Sequence, residues 1–474
     1  MRKFKSFSLL LVGLLGGFFV SFTLNVAADR SNSSGLPIED LKKFASVYGA
    51  IKSNYVEDVK DAKLIKGAVS GMLSGLDPHS TYLDEDAFKD LQAGTQGEFG
   101  GLGIEVGTED GLIKIVAPIE NTPAARAGVK SGDLIIKIDD TATKGMSLSD
   151  AVKLMRGKPK TSIILTVIRD GESSPMVFNI VRDIIQVQSV RSKLINKEIG
   201  FVRISQFQEK TIQSLVTHIN RVVSESKTNN SSLKGLVLDL RNDPGGLLHA
   251  AVGVSAAFLD PGLLVVSTDG KQEEAQREFY ATTKDYNRTG KDPLDNLDPI
   301  ARSIPMVVIV NGGSASASEI VAGALQDHKR ATVLGTQSFG KGSVQTILPL
   351  GNNTAIKLTT ARYYTPSGKT IQAKGIEPDF WVEETEEGDI SDRLRIREAD
   401  LNRHLEGNKD DKNLTDSSTD NSNKNSNSKI DKSEKNSSNR KPIEFGSDSD
   451  FQLIQAMNHL KGLTVKTSTP SSQK

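Results

Sequence analysis

The chain has 474 residues, which is more than a single domain needs and enough to bury a sizeable core. Its 59 basic and 59 acidic residues leave a formal net charge of zero, so composition indicates no bulk attraction to nucleic acid or to an anionic membrane. The sequence contains no cysteine, which excludes disulfides, thiolate metal sites and a lipid-modified cysteine anchor.

Residues 1–28 have the pattern of a targeting segment. A basic start is followed by a largely apolar stretch, and small residues precede a cleavage point after Ala28. A cleaved signal peptide and a retained membrane tether through residues 7–26 both fit, because the apolar stretch is short for a stable span. Either way we expect the bulk of the chain to be exported, in the periplasm or anchored in the inner membrane facing it.

Residues 36–93 are predicted to be helical. Apolar residues recur there at helical spacing, at Leu41, Phe44, Val47 and Ile51. Pro78 then breaks the pattern inside GLDPHSTYL. His79 in this turn has no ligand-spaced partner, so a packing role is favoured over metal binding.

Residues 96–183 are predicted to form a compact β-rich unit that opens with the glycine-rich GGLGI. The backbone N–H groups of such a loop can bind the terminal carboxylate of a peptide, and the following strand can add the peptide to its edge. The simpler alternative is a small barrel in which the glycines only make turns.

Residues 185–385 alternate strands and helices, which predicts an α/β core. The continuous apolar run GLVLDL is typical of a strand buried on both faces of a sheet. It ends in RNDPGG, where Gly245 and Gly246 open a helix. Glycines at such a turn leave N–H groups that can bind an anion.

Residues 305–350 contain a strand, the small-residue turn NGGSASAS and a helix predicted over residues 317–329. This arrangement is typical of a presented nucleophile, here Ser316, and the next loop offers Lys341 as a base. A lysine amine has a pKa near 10.4 and must be depressed by burial, by up to about 3 to 5 units, to accept a proton. Gln345 could hold the neutral amine in line by a hydrogen bond.

Two simpler interpretations compete with this one. Ser316 and Glu319 form S-x-x-E ahead of an apolar run, which is a helix capping box. GTQSFGKG nearly matches the phosphate-binding loop G-x-x-x-x-G-K-[ST]. However, Gly342 stands where that loop needs a hydroxyl, and a strand pattern follows instead of a helix, so nucleotide binding is disfavoured.

NGGSASASEIVAGALQD followed by SFGKGSVQT resembles the carboxyl-terminal processing (tail-specific) peptidases, which are serine proteases with a Ser-Lys pair. The resemblance implies Ser316 as nucleophile, Lys341 as base and Gln345 as the support of the lysine. It also implies an oxyanion hole formed by the N–H of Ala317 and that of Gly245 or Gly246, which this pattern alone does not separate. The family's L-R-x-N-P-G-G reads L-R-N-D-P-G-G here.

The same resemblance makes residues 96–183 a PDZ domain, with Leu102, Gly103 and Ile104 as the carboxylate loop and Arg156 as a contact toward the protease core. The implied architecture is a multidomain α/β protein: a helical arm, a PDZ domain and a core like that of Clp-type peptidases and crotonases. The implied partners are protein substrates with apolar C-terminal tails, without nucleic acid or cofactor. The arm implies a homodimer or a higher homo-oligomer, and the need for an adaptor protein stays open.

A Ser-His-Asp hydrolase is the chief enzymatic alternative. His328 lies about 18 Å from Ser316 along one helix, too far to act as its base, whereas contact with His249 stays open. No H-E-x-x-H spacing occurs, which disfavours a metallopeptidase. The alternative from another class is a non-catalytic PDZ scaffold that holds exported proteins, in which Ser316 is only a cap.

Residues 405–446 consist mainly of Asn, Ser, Lys and Asp and are predicted to be a disordered linker. Residues 449–462 regain helical spacing and are expected to dock back onto the protein or onto a partner.

Overall fold

The computed structural model describes residues 36–109, 111–119, 121–288, 290–386, 396–407 and 444–468. The targeting segment and most of the linker lie outside the described residues. Within them, none of the helices combines the length and the apolar character that a membrane crossing requires. Contacts divide the chain into two units, Met1–Met72 and Leu73–Lys474.

The first unit holds helix α1 (Ile38–Asn54) and most of helix α2 (Asp61–Ser74). The helical spacing predicted there is present, but α1 buries none of its residues. Leu41, Phe44 and Val47 are 46%, 49% and 58% exposed, so the apolar face of α1 is open.

The second unit begins with a turn, strand β1 (Thr81–Leu83) and helix α3 (Glu85–Gln96). The Asp84 carboxylate caps α3 by accepting a hydrogen bond from the Ala87 N–H, and Gly97 ends it with φ 74°. Strand β1 lies in a range predicted to be helical. It forms because it pairs with a distant strand near the end of the core, a contact that local periodicity does not report.

Residues 98–186 form the β-rich unit. Its elements are β2 (Glu98–Gly101), β3 (Ile104–Glu109), β4 (Leu112–Pro118), α4 (Pro123–Arg126), β5 (Leu134–Ile138), β6 (Thr141–Ala142), α5 (Leu148–Met155), β7 (Ser162–Ile168), β8 (Met176–Val181) and β9 (Asp183–Gln186). The main sheet has the order β3-β4-β5-β7-β8, while β2 pairs with β9. Strand β3 therefore stands at one edge, with α5 packed beside it.

The core follows as alternating strands and helices. Its elements are β10 (Val190–Ile195), β11 (Ile199–Ile204), α6 (Thr211–Thr228), β12 (Gly235–Asp239), α7 (Leu248–Phe258), β13 (Leu264–Gly270), β14 (Arg277–Tyr280), α8 (Thr283–Tyr286), α9 (Ile300–Ser303), β15 (Met306–Val310), α10 (Ala317–Asp327), β16 (Thr332–Gly335), β17 (Ser343–Gly351), β18 (Thr354–Tyr364) and β19 (Phe380–Trp381). Short 3-10 turns lie at Glu273–Ala275 and Glu398–Asp400, and the last helix is α11 (Phe451–Leu460).

Six core strands form one sheet in the order β10-β11-β12-β15-β16-β19, parallel except for the β10–β11 pair. Every residue of β12 and β15 is buried, as their continuous apolar runs predict. Helices α6, α7 and α10 cover one face, and α11 packs on the other. A second sheet, in which β17 pairs with β18, lies beside the site described below.

The C-terminal segment docks through a buried ion pair. Arg241, which follows β12 and is 1% exposed, donates to Asp239 Oδ2 at 2.9 Å and to Asp450 Oδ2 at 2.6 Å. The ring centroid of Phe445 lies 4.1 Å from the Arg241 guanidinium carbon. Residues 444–446, predicted as the end of the disordered linker, are thus part of the packed structure.

We expect Asp450→Ala to lower the free energy of unfolding by about 3 to 5 kcal/mol, because it leaves the buried Arg241 charge undercompensated. Urea unfolding monitored by circular dichroism measures this change. The control is Glu386→Ala, which removes an exposed 2.8 Å pair between Lys466 of the same C-terminal segment and the core. It should leave the urea midpoint almost unchanged, and an equally small effect of Asp450→Ala would contradict the prediction.

Candidate active site

Ser316 lies where strand β15 turns sharply into helix α10. Its φ of 55° and ψ of −111° are angles that an L-residue rarely adopts. Strained backbone of this kind occurs where a strand-to-helix turn presents a nucleophile. Ser316 is the N-cap residue of α10, so the capping interpretation describes its position correctly.

A single buried carboxylate holds the Ser316 turn and the Lys341 loop together. Glu319 Oε2 accepts hydrogen bonds from the Ser316 N–H at 2.7 Å and from the Lys341 N–H at 2.9 Å. Its Oε1 accepts from the Ser338 hydroxyl at 2.6 Å and from the Gly340 N–H at 2.7 Å. The backbones of the two proposed catalytic residues therefore share one oxygen atom as their acceptor.

Glu319 is fully buried, and burial raises its pKa to about 7. Its four hydrogen-bond donors act in the opposite direction and favour the ionised form. The glutamate half of the predicted capping box is thus present, but it also fixes the loop that carries the lysine.

The Lys341 side chain lies in a setting that depresses its basicity. Burial, and secondarily the positive charge of Lys357, lower the pKa of Lys341 to about 8. Three acidic groups oppose this shift, namely Glu398, Glu319 and Asp77. With this pKa, about a tenth of the amine is neutral at pH 7 and about half at pH 8.

Gln345 lies on β17, with its amide nitrogen 2.9 Å from Ser343 Oγ and 3.4 Å from Thr359 Oγ1. The Thr359 hydroxyl in turn donates to Asp77 Oδ1 at 3.1 Å. Among the described residues, the hydrogen bonds of Gln345 thus join hydroxyl groups, and a bond to the Lys341 amine is not one of them.

The turn that contains Asp77 and His79 contributes to this site, which sequence reasoning missed. His79 Nε2 lies 2.7 Å from Glu398 Oε2, and Glu398 Oε1 accepts from the Gln372 amide at 2.9 Å. Gln372 Oε1 accepts from the Gly342 N–H at 3.0 Å. The DPHS motif was the available signal, whereas Glu398 lies in a stretch without periodicity.

The glycines of the RNDPGG turn lie against the Ser316 turn. A Cβ on Gly245, whose φ is 96°, would approach Ala317 N to 2.8 Å and Ser316 Cβ to 2.9 Å. The Gly245 N–H already donates to Asp243 Oδ1 at 2.9 Å. Within the described part of the chain, this leaves Gly246 and Ala317 as the two residues of the predicted set whose N–H groups have no acceptor.

Hydrogen bonds from residues 122–124 fix the predicted carboxylate loop. Gly103 has φ 78°, and its carbonyl accepts from the Thr122 hydroxyl at 3.0 Å. The carbonyl of the buried Leu102 accepts from the Ala124 N–H at 2.9 Å, and Ile104 begins the edge strand β3. A side chain at Gly103 would collide with Thr122, because its Cβ would lie 2.2 Å from that of Thr122.

Arg156 pairs with Asp90 Oδ1 on α3 at 3.0 Å, and its guanidinium lies 4.9 Å from the centroid of the Phe99 ring. Both members of the ion pair are exposed. Helix α3 packs against β18, the neighbour of the strand that carries Gln345. Arg156 thus contacts an element next to the site, and its contacts within the described ranges include neither Ser316 nor Lys341.

The competing chemistries find little support in the described residues. His249 Nε2 lies 3.1 Å from Glu209 Oε2, and His328 Nε2 lies 2.7 Å from the Leu264 carbonyl oxygen. Among the described residues neither histidine forms a hydrogen bond with Ser316. The N–H groups of the loop around Lys341 bind Glu319 and Gln372 rather than standing open for phosphate. No cluster with metal-ligand composition occurs in the described ranges.

We expect Gly245→Ala to reduce the rate of serine acylation at least about 100-fold, because its Cβ would displace the Ser316 turn. The rate is measured with a serine-directed fluorophosphonate probe. The control is Gly262→Ala: its φ of 86° is equally unfavourable, but a Cβ there meets open space. That variant should lose about 1 to 2 kcal/mol of stability and keep its acylation rate, and equal rates for both variants would contradict the prediction.

Comparison with known proteins gives three matching family models. Peptidase family S41 matches residues 198–382, the N-terminal domain of activating protease CtpB matches residues 21–87, and a PDZ domain matches residues 114–169.

Similar proteins cover most of the chain. A carboxy-terminal-processing protease of Bartonella bacilliformis is 46% identical over 396 residues, which is 83% of this chain and 87% of the relative. The carboxy-terminal processing protease CtpA of Bacillus subtilis is 34% identical over 387 residues, or 81% and 78% of the two chains. The solved structure of a photosystem II D1 C-terminal processing protease is 29% identical, with a TM-score of 0.40, and the match covers 70% of this chain and 84% of that one.

Proposed function

This chain belongs to peptidase family S41 and is a serine-type carboxy-terminal-processing protease, and we propose that Ser316 and Lys341 are its catalytic dyad. One observation carries the assignment. A buried Glu319 oxygen accepts hydrogen bonds from the backbone N–H groups of both residues, so the turn and the loop meet at one point. The depressed pKa of Lys341, about 8, supports its role as the base.

The reaction would run in two halves. Ser316 Oγ attacks the scissile carbonyl carbon while the neutral Lys341 amine takes the hydroxyl proton. The N–H groups of Gly246 and Ala317 donate to the oxyanion, a contribution of about 3 to 4 kcal/mol per donor. The Lys341 ammonium then gives its proton to the leaving amine, and water repeats the attack on the acyl-enzyme with the amine again as base. Gln345 would orient the amine after a change of its present hydrogen bonds.

The chain acts on protein substrates and carries a PDZ domain. We further propose that this domain binds apolar C-terminal tails. The tail would pair with the open edge of β3, beside α5, and its carboxylate would meet the N–H groups of Leu102, Gly103 and Ile104. Support comes from the edge position of β3 and from the fixed loop ahead of it.

We propose export to the periplasm, as a free or membrane-tethered protein, because of the targeting pattern of residues 1–28. We also propose a homo-oligomer, with or without an adaptor protein, because the apolar face of α1 is open. Cell fractionation and sedimentation of the purified protein test these two proposals: a cytoplasmic location would refute the first, and a monomer at micromolar concentration the second.

We expect acylation by the fluorophosphonate probe to accelerate about tenfold per pH unit below pH 8, because the neutral amine is the reactive form. Lys341→Ala should lower the rate about 100-fold to 10,000-fold, and Ser316→Ala should abolish labelling. Lys357→Ala serves as the matched lysine control. It removes a charge that depresses the pKa of Lys341, so the rising limb should move to higher pH. Labelling of Lys341→Ala at the wild-type rate, or retained labelling of Ser316→Ala, would refute the dyad.

We expect Ile104→Asp to raise KM for a substrate with an apolar C-terminal tail at least about tenfold, because it places a charge on the edge strand that would bind the tail. Labelling by the small probe should stay constant, since the probe needs no tail contact. Val177→Asp is the control, on the opposite edge strand β8 and 66% exposed. An unchanged KM for Ile104→Asp would contradict tail binding at β3.

A further inference from the structure

A buried carboxyl group lies under the turn that would hold the oxyanion. Asp243 is fully buried, and its Oδ1 accepts from the Gly245 N–H at 2.9 Å. Its other oxygen, Oδ2, is buried without a hydrogen-bond partner among the described residues. An ionised carboxylate in that position would have one oxygen unsolvated, which carries a large desolvation penalty.

Asp243 also holds the nucleophile's turn. Its backbone carbonyl accepts from the Ala315 N–H and from the Ser318 hydroxyl, each at 2.9 Å. The residue therefore touches both sides of the proposed oxyanion hole, the glycine turn through its side chain and the Ser316 turn through its backbone. A change of charge at Asp243 would be felt at both.

No free cation compensates this carboxyl group within the described residues. The charged groups that act on it are Arg203 on β11 and Asp239 on β12, which pair with each other at 2.9 Å. Arg241, two residues before Asp243, is paired with Asp239 and Asp450. Ser318 on α10 is uncharged; its hydroxyl and the Gly245 N–H favour the ionised form, but the effect of burial is larger. Burial consequently raises the pKa of Asp243 to about 8.

We propose that Asp243 is a positioning residue that supports the oxyanion turn only as the neutral acid, an inference that rests on the proposed dyad. Ionisation of Asp243 then switches the protease off at alkaline pH. As a neutral acid it presents a carbonyl-type acceptor to Gly245, as an asparagine would. As a carboxylate it adds a negative charge next to N–H groups that must stabilise a developing negative charge. The two charges repel each other in a site with little water.

The activity then depends on two opposite protonation states. Lys341 must be neutral and Asp243 must be protonated, so the active fraction passes through a maximum near pH 8 and falls on both sides. A dyad protease without the acid would keep its activity on the alkaline side, because only the lysine would titrate.

The test is the rate of fluorophosphonate labelling from pH 6 to pH 10 for wild type, Asp243→Asn and the exposed control Asp295→Asn. The labelling rates of the wild type and of the control should fall about tenfold between pH 8 and pH 9.5. Asp243→Asn should keep its rising limb and lack the falling one. Its rate at pH 9.5 divided by its rate at pH 8 should then be about 15-fold higher than the same quotient for wild type. A falling limb shared by all three proteins would overturn the proposal.

Unfolding experiments separate this inference from the dyad. The folded pKa of Asp243 lies above the unfolded one, so the folded state holds a proton that the unfolded state releases, and wild-type stability declines as pH rises toward 8. The urea midpoint of Asp243→Asn should therefore rise relative to wild type between pH 5 and pH 9, even if no protein were labelled. A constant difference would overturn the role of ionisation. Should the variant fail to fold, a wild-type labelling rate that stays on a plateau to pH 10 would overturn the proposal equally.

Discussion

The site depends on the Glu319 carboxylate more than on any other group. Its two oxygens accept four hydrogen bonds from two chain segments, and it does so without contact with solvent. Breaking a buried, charge-assisted network of this kind costs far more than an exposed ion pair, because each donor would be left unpaired. The shared acceptor therefore couples the backbone positions of Ser316 and Lys341.

A second buried network of charged groups lies at the end of β12. It is a cluster of two cations and two anions, all largely buried: Arg203, Arg241, Asp239 and Asp450. The cluster fastens the C-terminal segment beside the sheet and precedes the turn that contains Asp243. Because its charges balance among themselves, the cluster compensates the Asp243 carboxyl group only weakly: the attraction of Arg203 is opposed by the repulsion of Asp239.

Local sequence patterns predict part of this structure. The buried strands β12 and β15, the turn at Ser316 and the position of Lys341 follow from apolar runs and short motifs, which are properties of contiguous residues. Glu319 could be recognised only as a cap, since its other partners come from a loop brought near by folding. For the same reason, the sequence did not predict that Asp77, Gln372 and Glu398 contribute to the site. Phe445 and Asp450 lie beyond a long low-complexity stretch, and their partner Arg241 is more than 200 residues away.

Strand β3, open along one edge of its sheet, has a consequence for what the enzyme would select. Main-chain pairing at such an edge requires an extended, accessible chain end, while side-chain contacts beside the edge would supply the preference for apolar residues. A correctly folded protein keeps its last residues packed, whereas a damaged or incompletely assembled one lets them fray. Binding at this edge would thus favour proteins whose C-terminal ends are unfolded over proteins whose ends are packed.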